Sequence, residues 1–192
     1  KTVKSSLMEN YKKNFEILKK NHVYSEEMEH DACGVGLIAS TEGKKSRKVV
    51  EYGIEALKAV WHRGAVDADG KTGDGAGIHV EIPKDFFIEK IEVTGHTHDN
   101  SEICVGMIFL PRNDYAAQES CKTIVESELT KNDFSIYGWR QVPVNPKVLG
   151  EKAFQTMPEI IQVLFKSNNP ELLNKDLERK IYETRRIIEN KA

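Results

Sequence analysis

Apolar residues change their spacing from one segment of the chain to the next, and each spacing implies an element. Tyr11, Phe15 and Leu18 recur at helical intervals in a stretch rich in Lys, Glu and Asn, which predicts a short surface helix followed by a polar tether. Val35, Leu37 and Ile38 predict a buried strand over residues 34–39, entered through Cys33, Gly34 and Gly36. After a polar turn, Ser46 is placed to cap a helix whose Val49, Val50, Gly53, Ile54, Leu57, Val60 and Trp61 form one apolar face. Ile78, Val80 and Ile82 alternate with His79 and Glu81, the pattern of a half-buried strand that Pro83 ends.

The second half is more regular. Residues 94–100 are polar and predict a loop, while residues 103–110 form a continuous apolar run of central-strand length, closed by Pro111. Asp114 opens a helix through Ala117, Cys121, Ile124, Val125 and Leu129. Strands are predicted over 134–142 and 159–166, with a short helix over 147–156 between them. An amphipathic helix over 170–190 has Pro170 near its start and Leu173, Leu177, Ile181 and Ile188 on one side. No internal repeat or low-complexity tract interrupts the series.

Composition narrows the function. A chain of 192 residues is most simply one domain able to bury an ordinary core. Its 28 basic and 30 acidic residues leave a formal charge of −2, with no broad cationic field, which argues against nucleic acid or an acidic membrane as partner. Three cysteines, Cys33, Cys104 and Cys121, cannot all pair within one chain, and no N-terminal apolar segment resembles a signal peptide, so a reducing cytoplasm is expected. Lys1 in place of Met suggests that the recorded N-terminus is itself a cut.

Candidate chemistry gathers near Cys33. Of the 13 glycines, nine lie between Cys33 and Gly77, a density of tight turns and close backbone approaches that marks a site. A nucleophilic thiol needs a base, and the residues offer two. His62 would make a Cys/His pair. Alternatively, cleavage between Ala32 and Cys33 would free an α-amine of pKa about 7.7 to 8.0 beside its own thiol. Arg63 could hold a carboxylate or orient that amine, or merely complement the end of its helix. Asp74, among glycines, reads as a turn residue. His96, His98 and Asp99 are a weak metal motif, so no metal site is assigned. The glycine-rich loop lacks the Lys-Ser/Thr of a P-loop and does not fit the dinucleotide fingerprint, which disfavours nucleotides.

The order and spacing of Asp31-Ala32-Cys33-Gly34-Val35-Gly36, Glu55-Ala56-Leu57, His62-Arg63-Gly64-Ala65 and Thr72-Gly73-Asp74-Gly75-Ala76-Gly77-Ile78 resemble the class II glutamine amidotransferase domain of the glutamate synthase large subunit. The resemblance is specific over residues 29–87 and lies in general character beyond residue 103. It implies an α+β fold of the N-terminal-nucleophile hydrolase type, a four-layer αββα sandwich with two antiparallel sheets between helix layers, incomplete here at its C-terminal end. It also implies that residues 1–32 are a removable leader or propeptide and that residues 33–192 are the N-terminal part of the amidotransferase domain.

By the same resemblance Cys33 is the nucleophile that attacks the glutamine side-chain amide, its α-amine handles the proton, and Arg63 lies beside it and helps hold its terminus. The family's oxyanion Asn-Gly pair has no counterpart, because the chain contains no Asn-Gly dipeptide, and its glutamine-gripping arginine segment is also missing. Loss of one oxyanion donor costs about 10² to 10³ in rate. Those substrate-binding parts are therefore expected downstream of Ala192, and the chain alone is expected to be nearly inactive. FMN, an iron–sulfur cluster and a small flavoprotein subunit are implied for the full-length enzyme, with no cofactor in this chain. The electron donor stays open. Two other readings remain: a different N-terminal-nucleophile amidohydrolase, and a non-catalytic interaction module in which Cys33 is simply buried.

Overall fold

The computed structural model describes residues 34–60, 64–73 and 75–192, with a few helical residues between 12 and 20. Tyr11, Phe15 and Leu18, on which the first predicted helix rests, lie outside the described residues, as does Trp61.

Three strands form one antiparallel sheet in the order β1-β3-β2: β1 is Cys104–Leu110, β2 is Phe134–Gln141 and β3 is Glu159–Ser167. Helix α1 is Arg47–Ala59, α2 Lys84–Val93, α3 Tyr115–Lys131, α4 Glu151–Thr156 and α5 Asn174–Glu189, with a 3-10 turn at Pro146–Val148. Both outer strands run antiparallel to β3, so β1 and β2 are parallel to each other and α3 connects them across a gap. That gap is filled by β3.

This topology corrects one expectation. Among the described residues, 103–110 are not a central strand, because β1 is an edge and β3 takes the middle. The physical difference lies in coverage. All five residues Ile161 to Phe165 of β3 are buried, whereas β1 leaves Met107 and Phe109 50% and 64% exposed. An apolar run announces a strand, but neighbours decide whether both faces are covered.

Helices α3 and α5 cover one sheet face, where Val125, Leu129 and Leu177 pack with Cys104, Phe134, Val163 and Phe165. Phe87 and Ile91 of α2 cover part of the other, against Ile103, Tyr137 and Leu164. Each fully buried large side chain, such as Phe134 or Leu164, contributes about 1.5–3 kcal/mol. Asp114 caps α3 as expected, accepting from Ala117 N at 2.9 Å. Helix α5 starts later than expected, at Asn174. Leu173 is its half-exposed cap and not part of the apolar side, which Leu177, Ile181 and Ile188 supply.

Helix α2, where the hydrophobic pattern assigned nothing, places Phe87 and Ile91 one turn apart on the sheet. Conversely, the strands expected over 34–39 and at Ile78 to Ile82 are absent among the described residues: these segments carry no ladder, and Val35 and Leu37 are about nine-tenths exposed. Alternation gives a segment one apolar face, but a strand also needs a neighbour offering free N–H and C=O groups. None of β1 to β3 pairs with either segment.

Candidate functional site

The residues assigned chemistry from sequence, Cys33, His62, Arg63 and Asp74, lie outside the described residues, and so does the greater part of the leader expected over 1–32. What the structure describes is the scaffold on either side of them. Ser46 Oγ accepts from Lys48 N at 3.2 Å and starts α1, whose chain leads directly to residues 61–63. Gly53 on α1 lets Ile78 approach so closely that an added Cβ would stand 2.9 Å from Ile78 Cδ1. Lys45, two residues ahead of α1, pairs with Glu81 at 2.5 Å, so α1 and the turn that leads into it each meet the segment after Gly77 once.

Between them, residues 64–73 fold into a tight loop. Val66 bridges Gly73, Asp67 N–H donates to Thr72 O at 2.7 Å, and Gly70 N–H donates to Asp67 O at 2.9 Å with Gly70 at φ +69°. Asp69 organises the turn. One carboxylate oxygen accepts from Lys71 N at 2.9 Å and Thr72 N at 2.7 Å, and the other from Thr72 Oγ1 at 2.5 Å. The Thr72 hydroxyl above all, then the two amides, hold its pKa down to about 2. Asp69 is a fixed acceptor, not a proton carrier at neutral pH. Lys152 Nζ meets Asp67 Oδ2 at 2.6 Å and ties the loop to α4.

His96, His98 and Asp99 come near one another without forming a metal site; among the described residues no three His, Cys, Asp or Glu side chains are placed to hold an ion. His96 Nδ1 lies 3.0 Å from Thr94 Oγ1, and His98 Nε2 lies 2.9 Å from Ser101 O. Asp99 accepts from Lys166, Ser101 and, at 3.2 Å, Tyr137 OH. The Lys166 ammonium, then the Ser101 hydroxyl, hold the Asp99 carboxyl well below the carboxylate range, and Asp99 in turn raises Lys166. Lys166 and Tyr137 carried no sequence motif, because their meeting with Asp99 depends on sheet register.

Cys104 is buried, and desolvation followed by Glu102 and Glu178 pushes its pKa up to about 12, so it is a neutral thiol at physiological pH. Cys121 is half-buried on α3. A groove of about 510 Å³ lies beside Phe109, Arg112, Gln155 and Met157. Arg112 there stacks on Phe154 at 4.5 Å. Among the described residues no helix is long and apolar enough to cross a membrane.

The model of the family described as glutamine amidotransferases class-II matches residues 33–192. The chain is similar to the glutamate synthase [NADPH] large chain of Azospirillum brasilense, 55% identical over 168 residues that cover 88% of this chain and 11% of that protein. It is also similar to the ferredoxin-dependent glutamate synthase 2 of Arabidopsis thaliana, 38% identical over 178 residues, 91% of this chain and 11% of that one. The ferredoxin-dependent glutamate synthase of Pyropia yezoensis is 41% identical over 165 residues, 85% of this chain and 10% of that one. The chain thus spans about a tenth of the length of these relatives.

Proposed function

The chain belongs to the class-II glutamine amidotransferases, and from that premise we propose that it is the glutaminase portion of a glutamate synthase large subunit, releasing ammonia from glutamine with Cys33 as nucleophile. The family match over residues 33–192, which begins at Cys33, carries this reading. The relatives' names and the mixed α+β fold support it.

In the proposed reaction, removal of residues 1–32 frees the Cys33 amine, which takes the thiol proton as sulfur attacks the glutamine Cδ carbonyl. Collapse of the tetrahedral adduct breaks the C–N bond, and the same amine returns the proton to departing ammonia. Water then cleaves the γ-glutamyl thioester to glutamate and regenerates the thiol. Arg63 holds the chain terminus by forked hydrogen bonds. The oxyanion donors and the glutamine carboxylate grip are assigned to no residue of this chain, which contains no Asn-Gly dipeptide.

For the whole protein we propose delivery of ammonia to 2-oxoglutarate by later domains of the large subunit, working with a flavoprotein partner in a reducing, cytoplasmic compartment. FMN and an iron–sulfur cluster would supply the reducing electrons there, and none of this chain's residues is assigned to them. The test is Cys33→Ala in the full-length enzyme. Glutamine-dependent glutamate formation is expected to vanish while ammonia-dependent formation persists, and equal loss of both would refute the assignment.

A further inference from the structure

The backbone of Gly150 is ordinary, at φ −71° and ψ 164°, so no torsion requires glycine there. Space does. A Cβ at this buried position would overlap Thr72 Oγ1 and Asp69 Oδ2 and would come within 2.5 Å of Thr72 N. Two residues further on the contact continues, since the Lys152 ammonium meets Asp67 at 2.6 Å. Gly150 O also accepts from Phe154 N at 2.9 Å, which opens α4, and α4 ends three residues before β3 begins. The loop of residues 64–73 is thus fastened, across some 80 residues of sequence, to the element that feeds the most buried strand.

Its location matters because the loop starts one residue after Arg63 and ends one residue before Asp74. An exposed ion pair such as Lys152–Asp67 is worth only about 0–1 kcal/mol, so stability is a weak reason for the fastening. Geometry is a stronger one: a 1 Å displacement of a reacting group can cost about 10² in rate.

We propose that Gly150, Lys152, Asp67 and Asp69 form a clamp that fixes the 64–73 loop, and with it the chain that enters the loop, for the glutaminase half-reaction. Gly150 and Lys152 are positioning residues for the glutaminase half-reaction. This role rests on the reading of Cys33 and Arg63 given above.

The experiment uses the full-length enzyme and four variants: Gly150→Ala, Lys152→Met, Lys152→Arg and Cys33→Ala. Gly150→Ala is expected to lower glutamine-dependent kcat about 10- to 100-fold with KM for glutamine and the ammonia-dependent rate within about twofold of wild type. Lys152→Met should show a smaller fall of the same kind, which Lys152→Arg restores. Amide exchange at Asp67 and Thr72 should accelerate in Gly150→Ala. Unchanged exchange overturns the clamp, and so does faster exchange with unchanged glutamine-dependent kcat. Equal loss of glutamine- and ammonia-dependent rates also overturns it, since that pattern is general damage. Glutamine turnover that survives Cys33→Ala refutes the underlying reading instead, and with it the clamp's role in that half-reaction.

Discussion

Thr94, the residue that ends α2, sits so close to Gly138 of β2 that a Cβ added at Gly138 would stand 2.8 Å from Thr94 Cγ2. The Thr94 hydroxyl lies 2.8 Å from Tyr137 O, so the contact is steric and polar together. It occurs at a register shift between Ile136 and Gly138, where β2 carries the extra residue Tyr137 and turns its ring toward α2.

Gly138→Ala is therefore expected to destabilise the domain. Gly138 has φ +150°, in a region L residues avoid, and the new methyl has no room. The cost is about 1–3 kcal/mol, read as a lower urea midpoint with unchanged slope. A midpoint equal to wild type would show that β2 and α2 separate without penalty.

Charge gives a second prediction, with a sign that can be worked out. The Asp99 carboxyl is depressed from its ordinary 3.8 by Lys166 and Ser101, so its contribution is present above about pH 4 and is lost as pH falls through the depressed value. Lys166 is raised above 10.5 by Asp99, so its contribution is present below that pH and is lost as pH rises through the raised value. Asp99→Asn should lower the melting temperature at pH 7 and flatten its decline between about pH 4 and 2. A variant whose acid limb runs parallel to wild type would remove the ion pair from the account of acid stability.

The same cluster shows what sequence could and could not reveal. Asp114 and Ser46 were readable because a capping side chain acts on amides two or three residues away. The β3 segment was readable because Ile160, Ile161, Val163, Leu164 and Phe165 crowd together, with Gln162 the polar residue among them, accepting from Arg140 at 2.7 Å. The clasp of Asp99, Tyr137 and Lys166 was not, since its members lie 38 and 67 positions apart and meet only through strand register. Helix α2 was obscured because Phe86 and Val93 break its apolar face while Phe87 and Ile91 alone are buried. Of the candidate site, the glycine-rich loop was visible as a density of turns, but its fastening to Gly150 depends on tertiary approach. Cys33 and Arg63 themselves lie outside the described residues, so their roles still rest on motif and family.

Cys104 offers a third test, because its thiol is held neutral by burial. The pKa is raised from 9.0 to about 12, so this group's contribution to stability is complete below about pH 9 and fades as pH rises toward 12. At pH 7.5 the native protein should leave Cys104 unlabelled by iodoacetamide, and denaturant should expose it. Cys104→Ala is expected to lower stability by about 1 kcal/mol while leaving glutamine-dependent turnover of the full-length enzyme intact. Labelling of native Cys104 at a rate close to that of free cysteine would contradict its place in the core.

The last prediction concerns the uncovered end of the sheet. Val105, Met107 and Phe109 stand opposite Leu164, Gln162 and Ile160 and share their face. Helix α2 reaches only the Ile103, Val105 and Leu164 end of it, which leaves Met107 and Phe109 half-exposed or more. Among the described residues β1 is also an edge strand, and no strand pairs with its outer N–H and C=O groups. An apolar face beside an open edge favours association, and the 192-residue chain on its own should sediment above 21.8 kDa, increasingly so with concentration. Met107→Ser with Phe109→Ser removes the side chains that drive this while sparing the covered face, so the pair should return the mass toward the monomer without lowering the unfolding free energy by more than about 1 kcal/mol. A wild-type chain that stays monomeric and melts in one sharp transition would mean that this face needs no cover.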